Sequence, residues 1–190
     1  MITTVFLDRD GTINRKPPEG EYVTRVSEFE FLPGAKEGIR MLNDAGMRVV
    51  IVTNQRGIAL GRMSVADVER IHRRMLVELR LARASVDGVY ICSHDKGCCT
   101  CRKPDVGLFL AAKRDFPQID FARAAIVGDG EADMAAGARL GLRRILIDDT
   151  ARGTRVERDL VTTPSLRDAA TFLVCEQVLS PRFDRRAASV

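Results

Sequence analysis

No tryptophan occurs in this 190-residue chain, and tyrosine occurs only twice. Such a sequence offers little for a platform on which nucleic-acid bases stack. Long apolar runs are also missing. No window approaches the roughly 20 apolar residues that a membrane-spanning helix requires. The first apolar run, "MITTVFL", is short, lacks a basic segment ahead of it and runs straight into Asp8. It does not read as a signal peptide, so the expected location is cytoplasmic, without membrane contact. In that reducing compartment structural disulfides are not expected, and close cysteine spacing leans towards metal. Internal repeats and low-complexity segments are absent too.

Charge of one sign is nearly balanced by the other, with a net +4 and a pI near 9.0. The densest basic patch, Arg70, Arg73, Arg74, Arg80 and Arg83, is interrupted by Glu69 and Glu78. That mixture reads as a solvated helix face rather than a nucleic-acid stripe. A mild positive bias would still attract a small phosphorylated metabolite. No apolar stripe marks a dimer face, so a monomer is expected.

What is present is a hydrophobic fraction of 45% in a chain of one-domain length. A domain of this size buries enough apolar surface to need neither disulfide nor metal for its core. Residues 1–175 are expected to form a single domain, with 176–190 as a flexible tail.

Five short β-branched runs punctuate the chain: residues 2–8, 48–53, 87–92, 124–129 and 143–148. Helical patterns separate them at 34–45, 64–83, 105–115, 131–140 and 165–175. Ser64 is a good N-cap with Asp67 three places on. Val68, Ile71, Met75, Leu79 and Ala82 follow at helical spacing, so Met75 reads as core. His72, among arginines, reads as structural or solvated. Strands alternating with helices imply an α/β fold, a doubly wound parallel sheet of Rossmann type with helices on both faces. Ligands of such sheets bind beyond the carboxyl ends of the strands. Asp8, Thr53, Cys92 and Asp129 should therefore share one rim.

The segment "FLDRDGTIN" places Asp8 and Asp10 two apart. In extended chain they project to the same side. Two carboxylates so close repel unless a cation sits between them or one takes a proton. An ordinary polar turn is the plainer alternative, and Gly11 comes too early for an EF-hand loop. The G-x-G of "GDGEADMAAG" lacks its third glycine because Asp133 holds that place, so a dinucleotide site is weakly supported.

Residues 91–104, "ICSHDKGCCTCRKP", hold four of the five cysteines and one of the two histidines. Cys92 and His94 form C-x-H, and Cys99 and Cys101 form C-x-C. Three thiolates and an imidazole close a tetrahedral structural zinc site. Cys98 is a rival fourth ligand. The C-x-x-C pair Cys98 and Cys101 does not open a helix, where a redox pair is usually activated. Cys175 reads as an isolated thiol.

Taken together, "FLDRDGTIN", Thr53 in "VTNQRG", Lys103 in "CRKP" and Asp129 in "VGDGEADMAAG" resemble the haloacid dehalogenase superfamily of phosphohydrolases over residues 2–150. The resemblance implies that Asp8 is a nucleophile that becomes an aspartyl-phosphate, and that Asp10 is the general acid and base. It implies Mg²⁺ between Asp8, the Asp10 carbonyl and Asp129, with Thr53 and Lys103 holding the phosphoryl oxygens. Asp133 is expected either to orient this site or simply to cap its helix. The further C-x-H…C-x-C-R-K-P pattern is similar to one branch of the superfamily and implies zinc on Cys92, His94, Cys99 and Cys101. That branch holds D-glycero-D-manno-heptose 1,7-bisphosphate phosphatases and histidinol-phosphate phosphatases. It generally lacks a large cap domain, and none fits here. The branch implies removal of the 7-phosphate of the heptose bisphosphate, with histidinol phosphate as the alternative substrate. A zinc-bearing binding module without catalysis is a more distant alternative. Arg102 would then contact the substrate beyond the reacting phosphate. Residues 15–34, between the first strand and the first helix, read as a flap; its Glu19 and Tyr22, with Asn54, complete the expected substrate contacts, and Arg56 would favour an anion.

Overall fold

A computed structural model describes residues 1–179 of the chain. Five strands follow the expected runs: β1 (Thr4–Leu7), β2 (Arg48–Asn54), β3 (Gly88–Cys92), β4 (Ala124–Gly128) and β5 (Arg143–Ile147). Two further strands, β6 (Arg155–Glu157) and β7 (Leu160–Thr163), extend the sheet. The spatial order is β3-β2-β1-β4-β5-β7-β6, parallel throughout except for the β6–β7 hairpin.

Every residue of β1 is buried, as expected of a strand covered on both faces. Its alternation divides the core. Val5 and Leu7 pack with Ile39, Leu42, Met75, Leu79 and Leu173 on one face. Phe6 packs with Phe109, Ala112 and Ala136 on the other. The first face carries α1 (Ala35–Asp44), α2 (Val65–Leu81) and α5 (Leu166–Leu179), and the second carries α3 (Gly107–Asp115) and α4 (Glu131–Leu140). Truncating Leu7 to alanine would cost about 2–5 kcal/mol, because neither layer can collapse into the gap.

Helix α2 begins with a full capping box. Ser64 Oγ accepts from the Asp67 amide at 3.1 Å, and the Asp67 carboxylate accepts from the Ser64 amide at 2.8 Å. The basic patch lies on this helix, where Arg70 pairs with Asp67 and Arg74 with Glu78.

Strands β6 and β7 lie beyond the five runs read from the sequence. Helix α5 passes residue 175, where the domain was expected to end, and Arg143 pairs with Glu176 at 2.9 Å. Helical pairing thus carries the chain through Leu179, and the rest of the expected tail lies outside the described residues. No described helix is long and apolar enough to cross a membrane.

Candidate active site

Parallel strands deliver their carboxyl ends to one rim. Asp8 follows β1, Thr53 and Asn54 end β2, Cys92 ends β3 and Asp129 follows β4. Lys103 reaches this rim from the loop after β3. Its ammonium lies 2.8 Å from Asp8 Oδ1 and 2.5 Å from Asp133 Oδ1, and donates to the Val52 carbonyl at 2.7 Å. All three donors of a buried ammonium are thereby engaged. Burial alone would lower the Lys103 pKa, but Asp8 and Asp133 outweigh it and raise it. Burial pushes the Asp8 carboxyl up to about 6, opposed by Lys103 and reinforced by Asp133 and Asp10.

Asp10 sits in a denser set of donors. Arg9 donates to both carboxylate oxygens, at 2.7 and 2.9 Å. Asn14 and Gln55 each add a bond of 2.9 Å. Burial alone would raise Asp10, yet Arg9 and these bonds hold it below the ordinary carboxylate range. Arg9 is fully buried, and its Nη1 lies 3.2 Å from His72 Nε2. Since guanidinium only donates, this ring nitrogen accepts and the imidazole is neutral. Burial first, then Arg9, push His72 down to about 4. Thr53 is buried at the floor, where its hydroxyl accepts from Gln55 at 2.9 Å.

Two glycines let the carboxylates approach. Gly11 has φ +86, and a Cβ there would stand 2.2 Å from Asp129 Oδ2. A Cβ at Gly128 would stand 2.5 Å from Asp133 Cγ. Asp133 therefore folds back over the end of β4 and uses both of its oxygens. One oxygen pairs with Lys103, while the other accepts from the Gly130 amide at 3.3 Å and caps α4. Burial raises the Asp129 pKa, although Lys16 opposes it through an ion pair of 2.7 Å. Carboxylate oxygens of Asp8, Asp129 and Asp133 lie within 4.8 Å of one another. This all-oxygen set fits a hard divalent cation. Asp133 has both oxygens in use, one at Lys103 and one at the Gly130 amide, whereas Asp8 and Asp129 each pair with a lysine through one oxygen and keep the other for such an ion.

A cavity of about 550 Å³ opens over these groups. Glu19 and Tyr22 of the flap, Asn54 and Arg102 all line it. Arg102 Nη1 is buried with no hydrogen-bond partner among the described residues. Asn54 is differently occupied. Its amide donates to the Lys103 carbonyl and accepts from the Lys103 amide, both at 3.1 Å. The side chain thus clamps the lysine backbone. Arg56 corrects an expectation as well. Its guanidinium is bound to Asp95 at 2.5 Å instead of being presented to an anion. Tyr22 rests against Gly57, where a Cβ would stand 2.9 Å from the ring.

Cys92, His94, Cys99 and Cys101 form the second cluster. Cys92 and Cys99 sulfurs are 3.6 Å apart, Cys99 and Cys101 3.3 Å, and His94 Nδ1 lies 3.3 Å from Cys101 and 3.8 Å from Cys92. A tetrahedral ion with thiolate bonds near 2.3 Å would set sulfur–sulfur edges of about 3.8 Å. The set therefore closes around such an ion with little movement. The rival Cys98 is exposed and turns its thiol to the Lys96 carbonyl at 3.6 Å.

Sequence reasoning missed Arg9, Gln55, Lys16 and the contact of His72. Gln55 carried a usable signal, since it stands two places beyond Thr53 on the same rim. The others reach the site from separate elements.

A cluster of carboxylates around a buried lysine at the ends of parallel strands is the arrangement of a phosphatase of haloacid dehalogenase type. The family model described as polynucleotide kinase 3 phosphatase matches residues 3–155. The chain belongs to that family. A D-glycero-beta-D-manno-heptose-1,7-bisphosphate 7-phosphatase of Escherichia coli O6:H1 is 39% identical over 72% of this chain and 74% of its own. A D-glycero-alpha-D-manno-heptose-1,7-bisphosphate 7-phosphatase of Mycobacterium bovis is 40% identical over 68% of each chain. The crystal structure of D,D-heptose 1,7-bisphosphate phosphatase from B. bronchiseptica, complexed with magnesium and phosphate, superposes with a TM-score of 0.82. It is 28% identical and the match covers 92% of this chain and 99% of that one.

Proposed function

We propose that this protein is a Mg²⁺-dependent phosphomonoester hydrolase that removes the 7-phosphate of D-glycero-D-manno-heptose 1,7-bisphosphate. The observation that carries the reading is the shared cavity. Asp8, Lys103 and Arg102 line the same space, where Asp8 pairs with Lys103 and Arg102 keeps a buried nitrogen without a partner among the described residues. Such a cavity accepts a small molecule with two anionic ends. The heptose bisphosphate phosphatases among the relatives act on a sugar of that kind.

Asp8 attacks phosphorus, the bond to the sugar oxygen breaks, and an aspartyl-phosphate forms. Lys103 and Thr53 hold the phosphoryl oxygens while charge moves onto them. Asp10 gives its proton to the departing sugar oxygen. Arg9 opposes protonation of Asp10, and the incoming phosphate dianion favours it. Water then attacks the aspartyl-phosphate and loses its proton to Asp10, which releases phosphate and restores Asp8. The anionic form that Arg9, Asn14 and Gln55 maintain suits this second step. Asp8, the Asp10 carbonyl and Asp129 would hold Mg²⁺, which would offset the repulsion between a carboxylate nucleophile and a phosphate dianion. Asn54 acts on the substrate through Lys103, Arg102 takes the second phosphate, and Glu19 and Tyr22 close over the sugar.

Zn²⁺ on Cys92, His94, Cys99 and Cys101 is structural, since four protein ligands leave no open position. It fixes Arg102 and Lys103 at the end of their loop. We assign the activity to a single domain ending with α5, working as a cytoplasmic monomer on a small metabolite rather than on nucleic acid or membrane.

The test is phosphate release with Mg²⁺, comparing kcat/KM for both anomers of the heptose bisphosphate with L-histidinol phosphate. A bisphosphate preference of at least about tenfold supports the assignment, about 1.4 kcal/mol of transition-state discrimination. Preference for histidinol phosphate overturns the substrate but keeps the chemistry.

A further inference from the structure

The carboxylates of the rim are balanced by two lysines of opposite character. Lys103 is 2% exposed at its side chain and tied by three contacts. Lys16 is 60% exposed, lies on the flap, and makes one contact at the rim, 2.7 Å from Asp129 Oδ2. Lys16 and Asp129 also form part of the wall of a second cavity of about 800 Å³, which Asp148 and Asp149 line as well. The Lys16 ammonium therefore has both space to leave Asp129 and carboxylates to move towards.

An ammonium at 2.7 Å from a carboxylate oxygen and a divalent cation bound by that carboxylate repel each other strongly. We propose that Lys16 is the resident counter-cation of Asp129, and that Mg²⁺ binds by exchange with it. The displaced side chain swings towards Asp148 and Asp149, and the start of the flap is released from the rim. This rests on the proposed assignment of Asp8 and Asp129 as the Mg²⁺ site. It makes metal loading and flap freedom one event. Lys16 acts as a positioning residue, not a catalytic one.

The experiment is a calorimetric titration of the full-length, substrate-free protein with MgCl₂, paired with amide hydrogen exchange over residues 15–24. Lys16→Met should bind Mg²⁺ about two- to fivefold more tightly than the parent, the fold-change expected for losing a half-exposed ion pair. In the parent, Mg²⁺ should speed exchange over residues 15–24. In Lys16→Met that segment should exchange fast with or without the ion. Asp129→Asn should abolish the binding heat, which locates the ion. An unchanged dissociation constant in Lys16→Met overturns the exchange and leaves the metal assignment standing. Tighter binding without any flap response in the parent reduces Lys16 to a long-range field and also overturns it. No binding heat in the parent overturns both the exchange and the metal assignment.

Discussion

The two clusters on the catalytic rim obtain their geometry in different ways. The carboxylate cluster stands on strand ends. Asp8 and Asp129 follow β1 and β4, whose registers are locked by parallel pairing and whose side chains are buried on both faces. The cysteine cluster hangs on a loop. Only Cys92 belongs to a strand, and residues 93–106 have neither helix nor strand. What the sheet supplies to the first cluster, mutual ligation must supply to the second. The rim tolerates repulsive chemistry because its backbone cannot move away. The loop needs an attractive centre because its backbone has little other support.

This contrast predicts a graded series of effects. Asp8→Asn removes the proposed nucleophile while leaving the strand ladder intact. It should lower kcat by at least about 10⁴-fold with an unchanged far-ultraviolet circular dichroism spectrum. A variant that keeps full activity would show that the rim does not act through Asp8.

The next effect lies beneath the rim and appears in stability. His72 has a folded pKa near 4 against an ordinary value of 6.5. Between these values the unfolded chain takes up a proton that the folded protein refuses. The His72 contribution is therefore full above about pH 6.5 and falls by up to about 3 kcal/mol as pH drops towards 4, while Asp8, raised to about 6, contributes in the opposite sense as pH falls through that value. Urea unfolding at stepped pH measures it, with His72→Phe as the control that should flatten the slope. An identical slope in that variant would mean that other groups carry the pH dependence.

Cys101→Ser should separate the two regions. Loss of one ligand should cut zinc content, measured by atomic absorption, and lower kcat/KM by about 10- to 100-fold. The sheet should unfold at nearly the parent temperature. Simultaneous collapse of the whole fold would break the distinction between a sheet-built and a ligand-built cluster. The smallest effect belongs to Arg56→Ala, which cuts a half-exposed ion pair to Asp95. It should cost no more than about 1 kcal/mol of thermal stability, and a larger loss would make that pair a structural support of the loop.

Most of the rim was legible in the chain because each parallel strand is a short apolar run ending in a polar residue. Position along the run then placed Asp8, Thr53, Cys92 and Asp129 together. The edge hairpin was not legible. Residues 155–157 are exposed and charged at both ends, so β6 carries no apolar alternation. The supports of the site were hidden for another reason. His72 meets Arg9 across 63 positions, and Lys16 meets Asp129 across 113. Local periodicity identified the face of α2 that includes His72, but not what that face would touch. Arg9 was hardest to read, because a charged residue between two carboxylates reads as a solvent neighbour, and here it is fully buried.

The clamp between Asn54 and the Lys103 backbone has a practical consequence. With Cys92 anchored in β3 and Lys103 held by Asn54, the loop is pinned at both ends. Lys96, Gly97 and Cys98 form an exposed arch between these posts. A short flexible tag or a fluorescent reporter grafted into that arch would lengthen the span without pulling on either post, giving an engineer an attachment point on the loop of the buried Lys103 that leaves its position undisturbed.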